Sequence, residues 1–142
     1  MYYAVRESMG IPFRWNPVVT FVASFMTIFA TVIAITKDLP DIEGDRKFDV
    51  QTFASKFGVR KVAELSSLLL GFAYVVAIAL PLTRAGSTMF KVFPMVAGHS
   101  AFLAYFIWSY RRFEPEDMTS LKKFYKSIWN LFYLEYFLYP FI

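Results

Sequence analysis

Long and nearly uncharged runs recur along the chain and predict helices that cross a membrane. Four such runs lie at about residues 17–36, 65–82, 92–110 and 128–142. Because about 20 apolar residues in a helix span the hydrocarbon core of a bilayer, the first three runs reach or approach the required length. The predicted fold is therefore all-α, a multi-pass transmembrane helical bundle with about four spans, at about 17–36, 62–82, 91–110 and 120–142.

The fourth run is short for a span unless the polar residues just before it form its first turns. Three lysines in those turns would then extend toward the membrane interface, namely Lys122, Lys123 and Lys126. Buried helices of a soluble bundle are the alternative reading of all four runs. Four such helices in 142 residues would leave almost no amphipathic surface, so membrane spanning is favoured.

Composition narrows the function classes. The chain is 57% hydrophobic and only 18% charged, whereas soluble domains have about 25% charged residues. It contains no cysteine and one histidine, which excludes disulfides, Cys-ligated metals and a His-rich zinc site built by this chain alone. A nucleic-acid partner is not expected, because the net charge of +4 is not accompanied by a soluble basic face.

The distribution of lysine and arginine predicts the orientation of the bundle. Short connections place successive spans antiparallel, so residues 37–61 and 111–126 should lie on one side of the membrane. Eleven of the 15 basic residues fall on that side, and four fall on the other, namely Arg6, Arg14, Arg84 and Lys91. The positive-inside rule therefore places residues 37–61 on the cytoplasmic-type face.

An acidic cluster follows the first predicted span. Asp38, Asp41 and Asp45 have the spacing i, i+3, i+7. On a helix this spacing puts three carboxylates on one face, within about 60° of one another. Glu43 is expected to point in roughly the opposite direction. The three aspartates are therefore the candidate catalytic and metal-ligating residues.

Pro40 predicts a break after the first span, with the acids in a loop over residues 37–49. Mg²⁺ prefers oxygen ligands and usually takes one or two carboxylates together with substrate phosphate oxygens. The neighbouring cations Lys37, Arg46 and Lys47 suit the binding of a diphosphate. The residues alone thus favour a Mg²⁺–phosphate site at a membrane surface over the alternative, a solvated loop with helix-stop signals.

The segment KDLPDIEGDRKFDVQTFASKFGVRKV resembles the second aspartate-rich motif of the UbiA superfamily of intramembrane prenyltransferases. Within that superfamily it is most similar to the plant and algal homogentisate prenyltransferases. The C-terminal FYKSIWNLFYLEYFLYPFI and the lead-in GIPFRW resemble the same group. The Lys-Asp-Leu-Pro-Asp core followed by TFASK is more similar to the solanesyl-transferring members than to the phytyl-transferring ones.

This resemblance implies a function, a cofactor and a location. Mg²⁺ held by aspartate-rich motifs would bind a polyprenyl diphosphate, whose allylic C–O bond ionises. Homogentisate or a similar aromatic acceptor would attack the resulting cation, with loss of carbon dioxide, on the route to plastoquinone. Phytyl or geranylgeranyl transfer in tocopherol synthesis is the alternative. The implied location is a plastid envelope or thylakoid membrane, with the Asp-rich loop on the stromal side.

The chain departs from the family pattern in one respect. The family carries two aspartate-rich motifs, and the first, N-x-x-x-D-x-x-x-D, does not follow either asparagine, Asn16 or Asn130. Residues 1–142 are therefore expected to correspond to the C-terminal part of the domain, roughly helices six to nine. A catalytically incomplete fragment acting only as a membrane subunit is the alternative to an enzyme.

Three further residues are candidates for a pocket. Glu135 interrupts an apolar helix, and an acid at such a position costs about 2.5–3.5 kcal/mol on insertion scales, so it should face the bundle interior or a cavity. Whether it has a structural partner or a pocket role stays open. His99 reads more readily as a hydrogen-bonded structural residue than as a base. Tyr133 belongs to an aromatic series that would either line a prenyl tunnel or pack and anchor the helix.

Overall fold

The computed structural model describes residues 2–12, 15–83 and 90–142, and within these ranges the chain is helical without strands. The described ranges contain seven α-helices: α1 Tyr2–Ser8, α2 Pro17–Thr36, α3 Ile42–Lys47, α4 Phe53–Phe57, α5 Val59–Thr83, α6 Val92–Arg111 and α7 Met118–Leu138. Two 3₁₀ turns, Leu39–Asp41 and Tyr139–Phe141, complete it. The expected turn after Thr83, with Arg84 and Gly86, and the lead-in residues Phe13 and Arg14 lie outside the described residues.

Three stretches of the described chain are long and apolar enough to cross a membrane. They are Pro17–Lys47, which continues α2 through the short helices that follow it, Val59–Thr83 and Val92–Arg111. The fourth expected span differs. Helix α7 has 21 residues, but its lysines and Glu135 keep it from meeting the same standard of apolarity. Its length is sufficient for a span, and its composition is that of a helix whose first half contacts water.

Two of the long helices, α2 and α7, begin where a side chain satisfies free backbone N–H groups of the first turn. Asn16 accepts hydrogen bonds from the backbone N–H groups of Val18 and Val19, and Pro17 occupies the first helical position of α2. Asp117 caps α7 in the same way, accepting from Thr119 and Ser120. These caps fix where each helix enters the bundle.

The core lies between the four long helices. Each packs against the next in the chain, α2 on α5, α5 on α6 and α6 on α7, and α7 returns to contact α2. The buried positions of α2 recur every three or four residues, which is the period of one helix face: Phe21, Phe25, Phe29, Val32 and Thr36. Helix α7 also packs against the 3₁₀ turn Leu39–Asp41. This contact brings the first turns of α7 beside residues 37–49, the acidic segment.

The segment expected to be a loop over residues 37–49 is largely helical. A 3₁₀ turn, Leu39–Asp41, leads directly into α3, and Pro40 fits there because the first turn of a helix needs no N–H donor from it. The chain then reverses at Asp49, whose φ of 54° lies in the left-handed region. The backbone N–H of Val50 donates to the carbonyl oxygen of Asp45 over 2.8 Å, and this bond closes the turn.

Candidate diphosphate site at the membrane surface

An open cavity of about 470 Å³ lies at the end of the first apolar stretch. The acidic segment provides Asp41, Glu43 and Asp45 to its lining, and the first turns of α7 provide Met118 and Lys122. Three acidic side chains and one lysine thus border one space of a size suited to a small polyanion and its counter-ions.

Asp45 is held in place by a residue from the next element. Its Oδ2 accepts a hydrogen bond from Thr52 Oγ1 over 3.1 Å. Thr52 is itself fixed as the N-cap of α4, where it exchanges hydrogen bonds with Ser55 in a reciprocal capping arrangement. The role of Thr52 was not predicted, although the spacing Thr-x-x-Ser is a capping signal that indicates it.

The acids do not share the face that the simple helical spacing predicted. Asp41 and Asp45 line the cavity, but Asp38 does not, and Glu43 does, although the spacing placed it on the opposite side. The 3₁₀ turn Leu39–Asp41 accounts for the position of Asp38, since its three residues per turn shift the register between Asp38 and α3. The carboxylate of Asp38 instead lies 3.7 Å from the ammonium group of Lys37.

The predicted diphosphate-binding cations lie around the cavity rather than in its lining. Lys37 pairs with Asp38, and Arg46 and Lys47 are exposed on α3, with the Lys47 ammonium group 5.8 Å from the ring centre of Phe48. Lys122 is the basic residue that lines the cavity. Lys122 was predicted only to extend toward the membrane interface. The predicted topology, which placed it on the same side as the acids, was the signal for a larger role.

The donor set fits a magnesium ion that is shared with a phosphate substrate. In the described part of the chain, no three acidic or histidine side chains are close enough to hold a metal by themselves. Mg²⁺ needs only one or two protein carboxylates when phosphate oxygens and water complete its octahedral shell. Asp41 and Asp45, which border the same open cavity, can provide such carboxylates.

His99 and Glu135 form a pair in the interior of the bundle, and both side chains are fully buried. Nδ1 of His99 lies 2.6 Å from the carbonyl oxygen of Met95 and must donate, because a carbonyl only accepts. Nε2 therefore faces Glu135, with 3.4 Å between Nε2 and Oε2, within ion-pair distance but out of line for a hydrogen bond. The pair joins α6 to α7.

Aromatic rings surround this pair. The rings of Phe21 and Phe25 lie 5.8 and 5.6 Å from the His99 ring, centre to centre, and Tyr74 lies at 6.2 Å. Neither His99 nor Glu135 lines the cavities of about 470, 550 and 400 Å³, although Phe21, whose ring contacts His99, lines the last of these. His99 and Glu135 are packed in the core, and a pocket role for them stays a prediction.

Tyr133 lies on the outside of α7 and is 63% exposed. Leu131 and Glu135 face inward from the same helix, and a residue midway between them points away, since successive helix positions rotate by about 100°. Its ring contacts Trp129, with 5.8 Å between the centres. Within the described chain the Tyr133 side chain faces away from the bundle, and its place in a pocket stays a prediction.

Comparisons with known proteins agree on one family. The chain matches the UbiA prenyltransferase family over residues 1–132. It is 45% identical over 148 residues to homogentisate solanesyltransferase of Arabidopsis thaliana, covering 100% of this chain and 37% of that protein. It is 44% identical over 144 residues to a probable homogentisate phytyltransferase 2 of Oryza sativa subsp. japonica, covering 100% and 38%.

A relative with a different named acceptor is almost as similar. The chain is 38% identical over 144 residues to 2-acylphloroglucinol 4-prenyltransferase of Humulus lupulus, covering 100% of this chain and 34% of that protein. The chain thus spans between 34% and 38% of the length of these three relatives. No solved structure matches it significantly. Because the family match covers most of its length, the chain belongs to the UbiA prenyltransferase family.

Proposed function

We propose that the protein containing this chain is a Mg²⁺-dependent prenyltransferase that transfers a solanesyl group from its diphosphate to homogentisate, with decarboxylation. The observation that carries the proposal is the cavity bordered by Asp41, Glu43, Asp45 and Lys122 at the end of an apolar stretch. A polyprenyl diphosphate donor needs such a polar cavity at the end of a membrane span. Its prenyl chain lies in the membrane, and its diphosphate needs cations and a carboxylate-bound metal. The chain's similarity to a named homogentisate solanesyltransferase supports the choice of substrates.

The residues of this chain would have different roles in binding the diphosphate. The carboxylates of Asp41 and Asp45 would hold Mg²⁺, which when bound to the diphosphate stabilises the charge that develops as the allylic C–O bond breaks. Thr52 keeps the Asp45 carboxylate oriented. Lys122 would contact the diphosphate as a point charge from the facing helix. Lys37, Arg46 and Lys47 would add positive potential at the rim.

The location follows from the same reasoning. The relatives from Arabidopsis thaliana and Oryza sativa are named chloroplastic, and the chain carries three stretches suited to a membrane. We infer an integral plastid membrane protein whose acidic segment lies on the stromal side, where the chain's basic residues concentrate. The other aspartate-rich motif of the family would complete the site from outside residues 1–142.

The donor assignment is tested by turnover of the full-length protein with homogentisate and each of three donors: solanesyl, phytyl and geranylgeranyl diphosphate. We expect kcat/KM to be highest for solanesyl diphosphate and activity to disappear with EDTA. A kcat/KM that is highest for phytyl diphosphate would favour the phytyl-transferring alternative. The chain is 44% identical to the rice phytyltransferase and 45% identical to the Arabidopsis solanesyltransferase, so this alternative is included in the test. Turnover unaffected by EDTA would contradict the metal-dependent mechanism itself.

Lys122→Gln should weaken donor binding more than it slows chemistry. The substitution removes the cation that lines the cavity while keeping a polar side chain of similar length. We expect KM for the prenyl diphosphate to rise about ten-fold, a typical effect of losing one charge-assisted contact, with KM for homogentisate unchanged. Lys61→Gln, at an exposed position on the same predicted side that lines neither this cavity nor the groove described below, is the control. Equal donor KM values for the two variants would remove Lys122 from the site.

A further inference from the structure

A second groove, of about 550 Å³, lies between the end of α6 and the start of α7. Each helix contributes one face to it at the spacing i, i+3, i+4, i+7. On α6 and its C-cap these positions are Tyr105, Trp108, Ser109 and Arg112, and on α7 they are Lys123, Lys126, Ser127 and Asn130. Lys122, which lines the acidic cavity, points to a different face of α7, so the two spaces are separate.

The outer end of the groove is positively charged. Arg112, Lys123 and Lys126 line it, and within the described residues none of them has an acidic partner within ion-pair distance. Asp117 also lines it, but its carboxylate is occupied in capping α7. Glu114 is the remaining acid, so three cations face one uncommitted carboxylate.

The arginine at this end has a defined position. The guanidinium carbon of Arg112 lies 4.3 Å from the ring centre of Trp108, and stacking of this kind holds the planar donor fork in place. A guanidinium held in this way can bind a phosphate oxygen pair with little loss of side-chain entropy.

The inner end of the groove is aromatic and its polar groups are paired with one another. Ser109 Oγ donates to Ser127 Oγ over 2.7 Å, and Asn130 Nδ2 donates to the Tyr105 hydroxyl over 3.4 Å. From Arg112 to Tyr105 the α6 helix rises about 10 Å, in the direction of the predicted membrane interior. The groove therefore passes from unpaired cations to internally satisfied aromatic and polar side chains.

We propose that this groove binds a bilayer phospholipid with an anionic headgroup. The phosphate would contact Arg112, Lys123 and Lys126, and an acyl chain would lie along Tyr105 at the inner end of the groove. The charge and depth of the groove match one such amphiphile, and its position between a predicted span and α7 opens it to the bilayer. A prenyl diphosphate shares this chemistry, so the experiment includes it as a separate arm.

The test is native mass spectrometry of the full-length protein in neutral detergent, titrated with dioleoyl phosphatidylglycerol or dioleoyl phosphatidylcholine. The test variant is Arg112→Gln/Lys123→Gln/Lys126→Gln. The control variant, Lys56→Gln/Lys61→Gln/Arg111→Gln, removes three exposed charges from the same predicted side but none from the groove. We expect parent and control to prefer phosphatidylglycerol by at least about ten-fold and the test variant to lose that preference.

Equal lipid preference in all three proteins would overturn the proposal, because it would show a general charge effect. Displacement of phosphatidylglycerol by equimolar geranylgeranyl diphosphate, with the same dependence on the three cations, would also overturn it and assign the groove to the substrate. Circular dichroism of the test variant checks that its helix content equals that of the parent. The binding measurement does not require prenyl transfer. It therefore tests the lipid proposal even if the parent protein transfers no prenyl group.

Discussion

In the full-length protein, Asp45→Asn should lower kcat for prenyl transfer by at least about 100-fold, the range seen when a group that stabilises transition-state charge is removed. Asparagine keeps the size of the side chain and an oxygen that can accept the bond from Thr52, so the turn should persist. It lacks the negative charge that Mg²⁺ requires at this position. Asp41→Asn should have a similar effect, and both are measured as Mg²⁺-dependent product formation.

Asp49→Asn is the matched control for these variants. Asp49 belongs to the same segment, is exposed, does not line the cavity and has a positive φ that asparagine adopts readily. Its activity should equal that of the parent protein. Parent-level turnover by Asp41→Asn and Asp45→Asn would contradict the site, whereas an equal loss in all three variants would point to general disruption of the segment.

The second large effect concerns the buried pair. His99→Leu should lower the free energy of unfolding by about 3–5 kcal/mol, because it removes the imidazole that faces the buried Glu135 carboxyl group. Glu135→Leu should cost less, since His99 keeps its bond to the Met95 carbonyl. His99→Leu/Glu135→Leu should be more stable than His99→Leu alone. Unfolding in SDS, followed by circular dichroism, measures all three.

Ser66→Ala is the control for these variants, because it removes a buried polar group that is not part of a pair. Ser66 is fully buried, and its Oγ has no hydrogen-bond partner in the described chain, so its removal should change stability little. Additive effects of the His99 and Glu135 substitutions would contradict the pairing. Residual prenyl transfer by a folded His99→Leu variant is expected, because the pair lies in the core and not at the acidic cavity.

Hydrophobic runs were sufficient to predict the long helices, since both length and apolarity are properties of the sequence. The run at residues 17–36 became α2 with those bounds, and its Asn-Pro start is a recognisable cap. Helix α7 was harder to interpret. Its three lysines argue against a membrane span, whereas its apolar second half argues for one. The sequence alone does not show which helix faces these residues occupy.

The candidate site was predictable in composition but not in arrangement. The acidic residues and the family resemblance came from one segment, and the Mg²⁺ chemistry stays a prediction. The 3₁₀ turn between Asp38 and α3 was not predictable, because proline signals a break without specifying the geometry that follows. Lys122 and the partner of Glu135 depend on contacts between helices far apart in sequence, which spacing along one helix does not encode.

Binding of a prenyl diphosphate analogue tests the central claim most directly, because it does not depend on the acceptor. Isothermal titration of the full-length protein with geranylgeranyl S-thiolodiphosphate, with and without Mg²⁺, would compare the parent with Asp41→Asn/Asp45→Asn and Asp49→Asn. The acidic cavity predicts Mg²⁺-dependent binding that is at least about ten-fold weaker in the double variant and unchanged in Asp49→Asn. Equal Mg²⁺-dependent affinity in all three proteins would contradict a diphosphate site at Asp41 and Asp45.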